Sequence, residues 1–298
     1  MHIQLVDVSP RDGLQNEPVV LDTDTKVALI RQAIDAGARR IEATAFVQPA
    51  QVPQLADAED VMAAVPRRSD VSYIGLALNR RGVDRAIAAG CDEINLVVVA
   101  TDTFCRRNQG RSTAETMADH GSAIASINSA GRRTSLTIGA AFGCPFEGEV
   151  PLGRVVDLAR QARDLGVDEV ALADTIGVAV PRDITTRVES VAAVLDQIPL
   201  RVHLHDTRHT GIANAQAAID AGVRILDASI GGMGGCPFAP NATGNVAMED
   251  LLYLLDRSGY QHGWDFDRVA PIVAWLEERL GRDLPGMASK AGHFPIIA

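Results

Sequence analysis

Eight short β-rich runs alternate with helical patterns along the chain, and this alternation restricts the fold more than any other feature of the sequence. IQLVDV (3–8), RIEATAF (40–46), VSYIGLAL (71–78), EINLVVVA (93–100), SLTIGAAF (135–142), EVALADT (169–175), RVHLHD (201–206) and RILDASI (224–230) read as strands. Each leads into a helical stretch. The first of these runs from about Asp22 to Ala36, with Asp22 or Thr23 as its cap. DAGA (35–38), AAGC (88–91), DLGV (164–167) and DAGV (220–223) recur as helix ends, each with a glycine suited to a left-handed residue just past the helix. Eight strand–helix units in roughly 260 residues predict an α/β fold, a (β/α)8 TIM barrel. The alternative is an open doubly wound sheet. That fold carries a glycine fingerprint after its first strand, where this chain reads SPRDGLQNE. No Pro/Ser-rich linker interrupts the chain, so residues 1–298 read as one domain, with the barrel over about 3–257 and additional C-terminal helices over about 258–298. Residues 264–281, which include Trp264 and Trp275, form an amphipathic pattern suited to covering the barrel or a subunit interface.

Charge and cysteine usage exclude several function classes. The formal net charge is -10, which predicts no nucleic-acid partner. No apolar run approaches the ~18–20 residues of a membrane span. Cys91, Cys105, Cys144 and Cys236 are widely spread with no CxxC pair, which argues for a reducing compartment rather than a disulfide framework. The N-terminus lacks the basic and apolar segments of a secretion signal, so a cytoplasmic location is expected.

In a barrel the loops after the strands share one face, and chemistry concentrates there. His203 and His205 are two residues apart on a predicted strand, so both imidazoles point the same way, towards the lumen. They read as a hydrogen-bonded core pair or as metal ligands. Asp12 reads as a turn residue in SPRDG or as an oxygen ligand, and Asn245 as the N-cap of the following helix or as a further ligand. Two imidazoles with two oxygen donors would make a mixed site suited to Mg²⁺ or Mn²⁺, with zinc less suited. Arg11 reads as a surface charge or as a cation placed where negative charge develops. Glu42 reads as a salt-bridge partner of Arg11 or as a carboxylate that orients ligands, and Asp174 shares that ambiguity. Cys236 stands in GGMGGCPFAPNATGN (231–245), where Gly231, Gly232, Gly234 and Gly235 supply unusual backbone freedom.

The segments SPRDGLQNE, IEATAFV, GCPFEG, ADTIGV, HLHDT and GGMGGCPFAPNATGNVAMED occur in the order found in 3-hydroxy-3-methylglutaryl-CoA lyases. The chain resembles that family, metal-dependent barrel lyases related to isopropylmalate synthases, from about residue 3 to residue 257. The GGxGGCP loop followed by GNVAxED carries most of the specificity, and the condensing synthases do not share that cysteine loop. The resemblance implies a divalent metal held by Asp12, His203, His205 and Asn245. It implies catalytic roles for Arg11 and Cys236 with Glu42 close by, and further site positions at Asp174 and Glu249. Gln15, Asn108, Arg208 and Gly235 are the expected contacts to an acyl-CoA substrate, and a homodimer is implied.

The implied reaction is a retro-Claisen cleavage of a 3-hydroxyacyl-CoA to acetyl-CoA and a keto acid. His203, Asp12, Asp174 or water at the metal would be the base, and Cys236 a neutral thiol that protonates the enolate carbon. The chain also departs from the familiar pattern. Pro18 stands where a lysine is usual, Ala50 and Gln51 where lysine and tryptophan are usual, and RHTGIAN follows HDT in place of YGQALAN. These departures open the identity of the acyl group, with citramalyl-CoA or isohexenylglutaryl-CoA as alternatives. An acetyl-CoA condensing acyltransferase is the further alternative, and a metal-dependent binding protein derived from a lyase is the remaining one. CRRNQGRS (105–112) reads as a solvated basic run, and alternatively as a rim for the CoA phosphates through Arg106, Arg107 and Arg111.

Overall fold

A computed structural model describes residues 1–235 and 244–295. The alternation of apolar runs and helical patterns folds as expected. The strands β1 (Gln4–Asp7), β2 (Arg40–Ala45), β3 (Ser72–Ala77), β4 (Glu93–Val99), β5 (Arg133–Gly139), β6 (Glu169–Asp174), β7 (Leu200–Leu204) and β8 (Ile225–Ala228) form a closed parallel barrel in sequence order. β1 closes it against β8, with Gln4 opposite Ile225 and Asp7 opposite Ala228.

Helices α1 (Thr23–Asp35), α2 (Ala58–Ala64), α3 (Arg80–Ala88), α4 (Asp102–Gln109), α5 (Thr113–Ser129), α6 (Leu152–Asp164), α7 (Pro181–Leu195), α8 (Gly211–Asp220) and α9 (Met248–Arg257) follow the strands. Asp22 caps α1 by accepting the Thr25 N–H at 2.8 Å. The recurrent helix-ending glycines Gly37, Gly90, Gly166 and Gly222 have φ of 117°, 76°, 81° and 104°. At Gly37 the requirement is double, because a Cβ would also lie 2.4 Å from the Gly263 carbonyl oxygen. CRRNQGRS is helical in part: its first residues belong to α4, an extra helix between β4 and α5.

Several boundaries differ from the sequence reading. β5 ends at Gly139 because Ala140 turns to φ 53°. β7 ends at Leu204, and His205 instead forms an isolated antiparallel bridge with Asn245. The predicted 264–281 helix is α10 (Phe266–Leu280), capped by Asp265, so Trp264 precedes it as a buried residue. α10 packs against α1 and α9. The short α11 (Ala288–Ala291) follows, its first N–H groups anchored on the Asp250 carboxylate. Among the described residues no helix is long and apolar enough to cross a membrane.

Candidate active site

Strand parity decides which side chains enter the lumen. Val202 and Leu204 are buried in the layer between barrel and helices, and the opposite parity sends Arg201 and His203 inward, with His205 continuing the row. The SPRDG turn is a single wide helical turn over Ser9–Gly13, closed by the Gly13 N–H donating to the Val8 carbonyl at 3.0 Å. That turn carries Arg11 and Asp12 over the end of the barrel.

Three ligand-type atoms converge here. One donor atom from each of Asp12, His203 and His205 lies within 4.8 Å of the other two. Asp12 Oδ2 is 3.8 Å from His203 Nε2 and 3.5 Å from His205 Nε2. The two Nε2 atoms are 3.4 Å apart. Each ring is fixed from behind: His203 Nδ1 meets Asp227 Oδ2 at 3.0 Å, and His205 Nδ1 meets the Thr175 carbonyl at 2.6 Å. Both partners are acceptors, so in the neutral rings the proton sits on Nδ1 and the Nε2 lone pairs point into one space. Asn245 donates through Nδ2 to Asp12 Oδ2 at 2.9 Å and to the Met233 carbonyl at 2.8 Å, and its buried Oδ1 has no partner. It does not cap α9, whose N-cap is Ala247. Two facing lone pairs, a carboxylate and an orphaned amide oxygen fit a divalent cation.

Charge is concentrated around this point. Burial would raise the Asp12 pKa, yet the Arg11 charge and the two imidazoles outweigh it and hold the carboxyl well below its usual range. Burial likewise opposes a charged His203, but the Asp227 hydrogen bond and the Asp12 charge leave its pKa raised. Arg11 bridges Asp12 and Glu42, its Nε donating to Glu42 Oε2 at 2.6 Å. Glu42 Oε1 accepts from Asn95 Nδ2 at 2.9 Å, and Thr137 Oγ1 donates to Asn95 Oδ1 at 2.9 Å. The guanidinium is thereby locked by a chain of four side chains from three strands and a turn.

A cavity of about 390 Å³ opens above the cluster. Arg11, Asp12, His203 and His205 lie on its floor. Val47, Leu76, Leu78, Val97 and Val99 form an apolar wall, and Gln15, Gln51, Asn108 and Gly235 also line it. Asn16 Nδ2 donates to the Gly235 carbonyl at 2.7 Å. Of the basic run, Arg106 and Arg111 make exposed ion pairs with Glu115 and Asp119, whereas Arg107 lines the cavity with its guanidinium 4.2 Å over the Phe146 ring.

Other expected residues fall elsewhere. Asp174 has the opposite parity to Ala173 and Thr175, which line the cavity; its two oxygens accept the Val178 and Ala179 N–H groups at 3.0 Å each. Arg208 donates to the Ile176 and Gly177 carbonyls at 3.1 and 2.8 Å, and is not among the residues lining the cavity. Glu249 is buried behind the site and accepts the Gly231 N–H at 2.9 Å. Cys236 lies outside the described residues.

The lumen also holds charges that the sequence reading did not pair. Arg40 donates to Glu93 and Glu169, Arg201 pairs with Glu169 and Asp227, and all five are buried. Their signal was available: Arg40, Glu93, Glu169 and Arg201 each stand at or next to the start of a predicted strand, in the inward parity.

Comparison with known proteins decides the family. The HMGL-like family model matches residues 2–275. The chain belongs to the hydroxymethylglutaryl-CoA lyase family. It is 42% identical to the (R)-citramalyl-CoA lyase of Chloroflexus aurantiacus, over 97% of this chain and 95% of that one. It is 39% identical to the hydroxymethylglutaryl-CoA lyase of Pseudomonas mevalonii, over 97% of each chain. Among solved structures, an HMG-CoA lyase from Acinetobacter baumannii in complex with coenzyme A and 3-methylmalate superposes with a TM-score of 0.96 at 36% identity, covering 100% of this chain and 97% of that one. Membership makes this chain a carbon–carbon lyase on a TIM barrel.

Proposed function

We propose that this lyase cleaves a branched 3-hydroxyacyl-CoA in the retro-Claisen direction, releasing acetyl-CoA and a keto acid. The observation that carries the reading is the convergence of His203 Nε2, His205 Nε2 and Asp12 beside a locked Arg11 at the floor of one cavity. Asp12, His203, His205 and Asn245 would hold the cation, Mg²⁺ or Mn²⁺. When bound, it supplies Lewis-acid polarisation of substrate oxygens.

The side chains divide the remaining work. The substrate hydroxyl loses its proton to water in the cavity, because His203 has Nδ1–H turned to Asp227 and Nε2 reserved for the cation. Asp174 is occupied by two loop N–H groups, and the Arg11 charge and the imidazoles hold the Asp12 carboxyl so far below its usual range that it is a poor proton acceptor. The hydroxyl oxygen becomes the carbonyl of the keto acid as the adjacent carbon–carbon bond breaks. The electron pair passes to the thioester as an enolate, and Arg11, fixed by Glu42, faces the developing charge. Cys236 then delivers the proton that completes acetyl-CoA. Gln15, Asn108 and Gly235 contact the acyl-CoA, and Arg107 at the cavity edge attracts its phosphates.

The acyl group is 3-hydroxy-3-methylglutaryl or, as the second reading, citramalyl. The cavity favours the second. Its described basic residues other than the histidines are Arg11, which is committed to Asp12 and Glu42, and Arg107, which is stacked on Phe146. Much of the cavity wall is apolar, so a carboxylate on the carbinol carbon, close to the cation that the histidines and Asp12 would hold, is the better-compensated arrangement. The active species is a cytoplasmic homodimer in this reading.

Purified protein with Mg²⁺ or Mn²⁺ is incubated with 3-hydroxy-3-methylglutaryl-CoA and with both citramalyl-CoA enantiomers, and acetyl-CoA release is followed. Release from one of them, abolished by chelation, supports the proposal. Folded, metal-loaded protein that cleaves none of them sinks it.

A further inference from the structure

Asp227 stands between two systems. Its Oδ2 meets His203 Nδ1 at 3.0 Å, and its Oδ1 meets Arg201 Nη1 at 3.3 Å. Both oxygens are committed, so the carboxylate borders the cavity without being free to turn into it as a ligand. Arg201 is in turn ion-paired, its Nε 3.0 Å from Glu169 Oε1 but without hydrogen-bond geometry. Arg40 grips Glu169 from the other side through two donors at 2.7 and 2.8 Å and holds Glu93 at 2.6 Å. Ser135 Oγ closes the end by donating to Glu93 Oε1 at 2.7 Å.

This ladder runs the length of the barrel interior, from the first residues of the strands to the histidine pair. Its two guanidiniums (Arg40, Arg201) face three carboxylates (Glu93, Glu169, Asp227), leaving one net negative charge. Burial of five charged side chains is expensive unless they are mutually satisfied. An apolar lumen would close the barrel at lower cost. The ladder instead delivers a fixed carboxylate to the back of one imidazole.

We propose that Asp227 is a positioning residue for cation binding: held by the Arg201–Glu169–Arg40–Glu93 ladder, it fixes the ring angle and Nδ1–H tautomer of His203, so that Nε2 is presented as a ligand. The inference rests on the cation site proposed above. It separates the two histidines by mechanism. His205 is set by a backbone carbonyl that no side-chain substitution removes, whereas His203 depends on one replaceable carboxylate.

The test is Mn²⁺ binding to the metal-free protein by calorimetry and by electron paramagnetic resonance, for wild type and Asp227→Asn. Outer partners of this kind typically contribute about 10–100-fold in affinity, and a loss in that range at similar secondary structure is the expected result. A role confined to holding the barrel together would lower thermal stability and leave the affinity alone. Affinity within about twofold of wild type therefore overturns the proposal while leaving the cation site standing. Wild type that binds no Mn²⁺ overturns both. Should the variant fail to fold, ¹⁵N-histidine correlation spectra of metal-free wild type at alkaline pH read the tautomer directly. His203 with its proton on Nδ1 is expected, and a proton on Nε2 overturns the proposal.

Discussion

The Nε2 atoms of His203 and His205 face each other at 3.4 Å, with both Nδ1 atoms already committed to acceptors. Two lone pairs in this position repel unless a proton or a cation lies between them. The relationship predicts that His205→Ala weakens Mn²⁺ binding by more than the ~10–100-fold cost of losing an outer partner. Calorimetry checks this, and an unchanged dissociation constant would remove the pair from the metal site.

Arg11 is predicted to be intolerant of even a conservative change. Its guanidinium spans Asp12 and Glu42 at once, which a lysine ammonium on a flexible stem does not do with the same geometry. Arg11→Lys should lower kcat by about 10²–10³-fold, the range for losing one positioned donor to developing charge. Steady-state kinetics on the cleaved acyl-CoA measure it. Loss confined to KM would assign Arg11 to ground-state binding instead.

Cys236→Ala is predicted to fold and bind Mn²⁺ as wild type does, while turnover falls by about 10²-fold or more, the contribution of a positioned general acid. Unchanged turnover would exclude the thiol from enolate protonation.

Much of this arrangement was legible in the sequence because period carries direction. The HLH triplet at 203–205 fixes two imidazoles on one side of a strand whatever the rest of the chain does. The strand–helix alternation and the glycine helix ends fixed the barrel in the same way. Residues beyond a strand end escaped this logic. Arg208 sits just past β7, where no period applies, and its turn aims it at the Ile176 and Gly177 carbonyls. Asp174 shares the outward parity of Val170 and Leu172, so its direction was legible in EVALADT; its place at a strand end and the family resemblance put it among the site residues instead. The Arg40–Glu93–Glu169–Arg201 ladder was legible residue by residue and not as a network. Pairing across the lumen depends on strand stagger, which one strand's pattern does not contain.

Asp174 accordingly receives a different expectation from a catalytic base. Its carboxylate holds the loop between β6 and α7 through two N–H groups at 3.0 Å. Asp174→Ala leaves those donors unpaired in a buried setting, at about 1–3 kcal/mol for a group left unsatisfied. Denaturant unfolding should show the loss, while Mn²⁺ affinity stays unchanged. An Asp174→Ala protein of wild-type stability with no turnover would return the residue to the chemistry.

Glu249 couples pH to stability through the buried contact it makes with Gly231. It is fully buried and accepts the Gly231 N–H, and the Gly286 backbone approaches so closely that a Cβ there would lie 1.9 Å from Glu249 Oε1. Burial, reinforced by the nearby Asp250 charge, pushes its pKa up from 4.5 to about 7 despite the Gly231 hydrogen bond. A carboxyl with a higher pKa folded than unfolded binds its proton more tightly in the folded state. Its contribution is therefore most favourable below the unfolded value of 4.5 and is lost as pH rises through about 7. The shift corresponds to roughly 3 kcal/mol at about 1.4 kcal/mol per pKa unit. Glu249→Gln keeps an oxygen acceptor for Gly231 and carries no charge at any of these pH values. Its stability relative to wild type should climb by about that amount between about pH 5 and pH 8, as read by denaturant unfolding at each pH. Other titrating groups cancel in the wild-type-minus-variant difference, so a flat difference across that range would show that Glu249 ionises in the fold as an ordinary glutamate does.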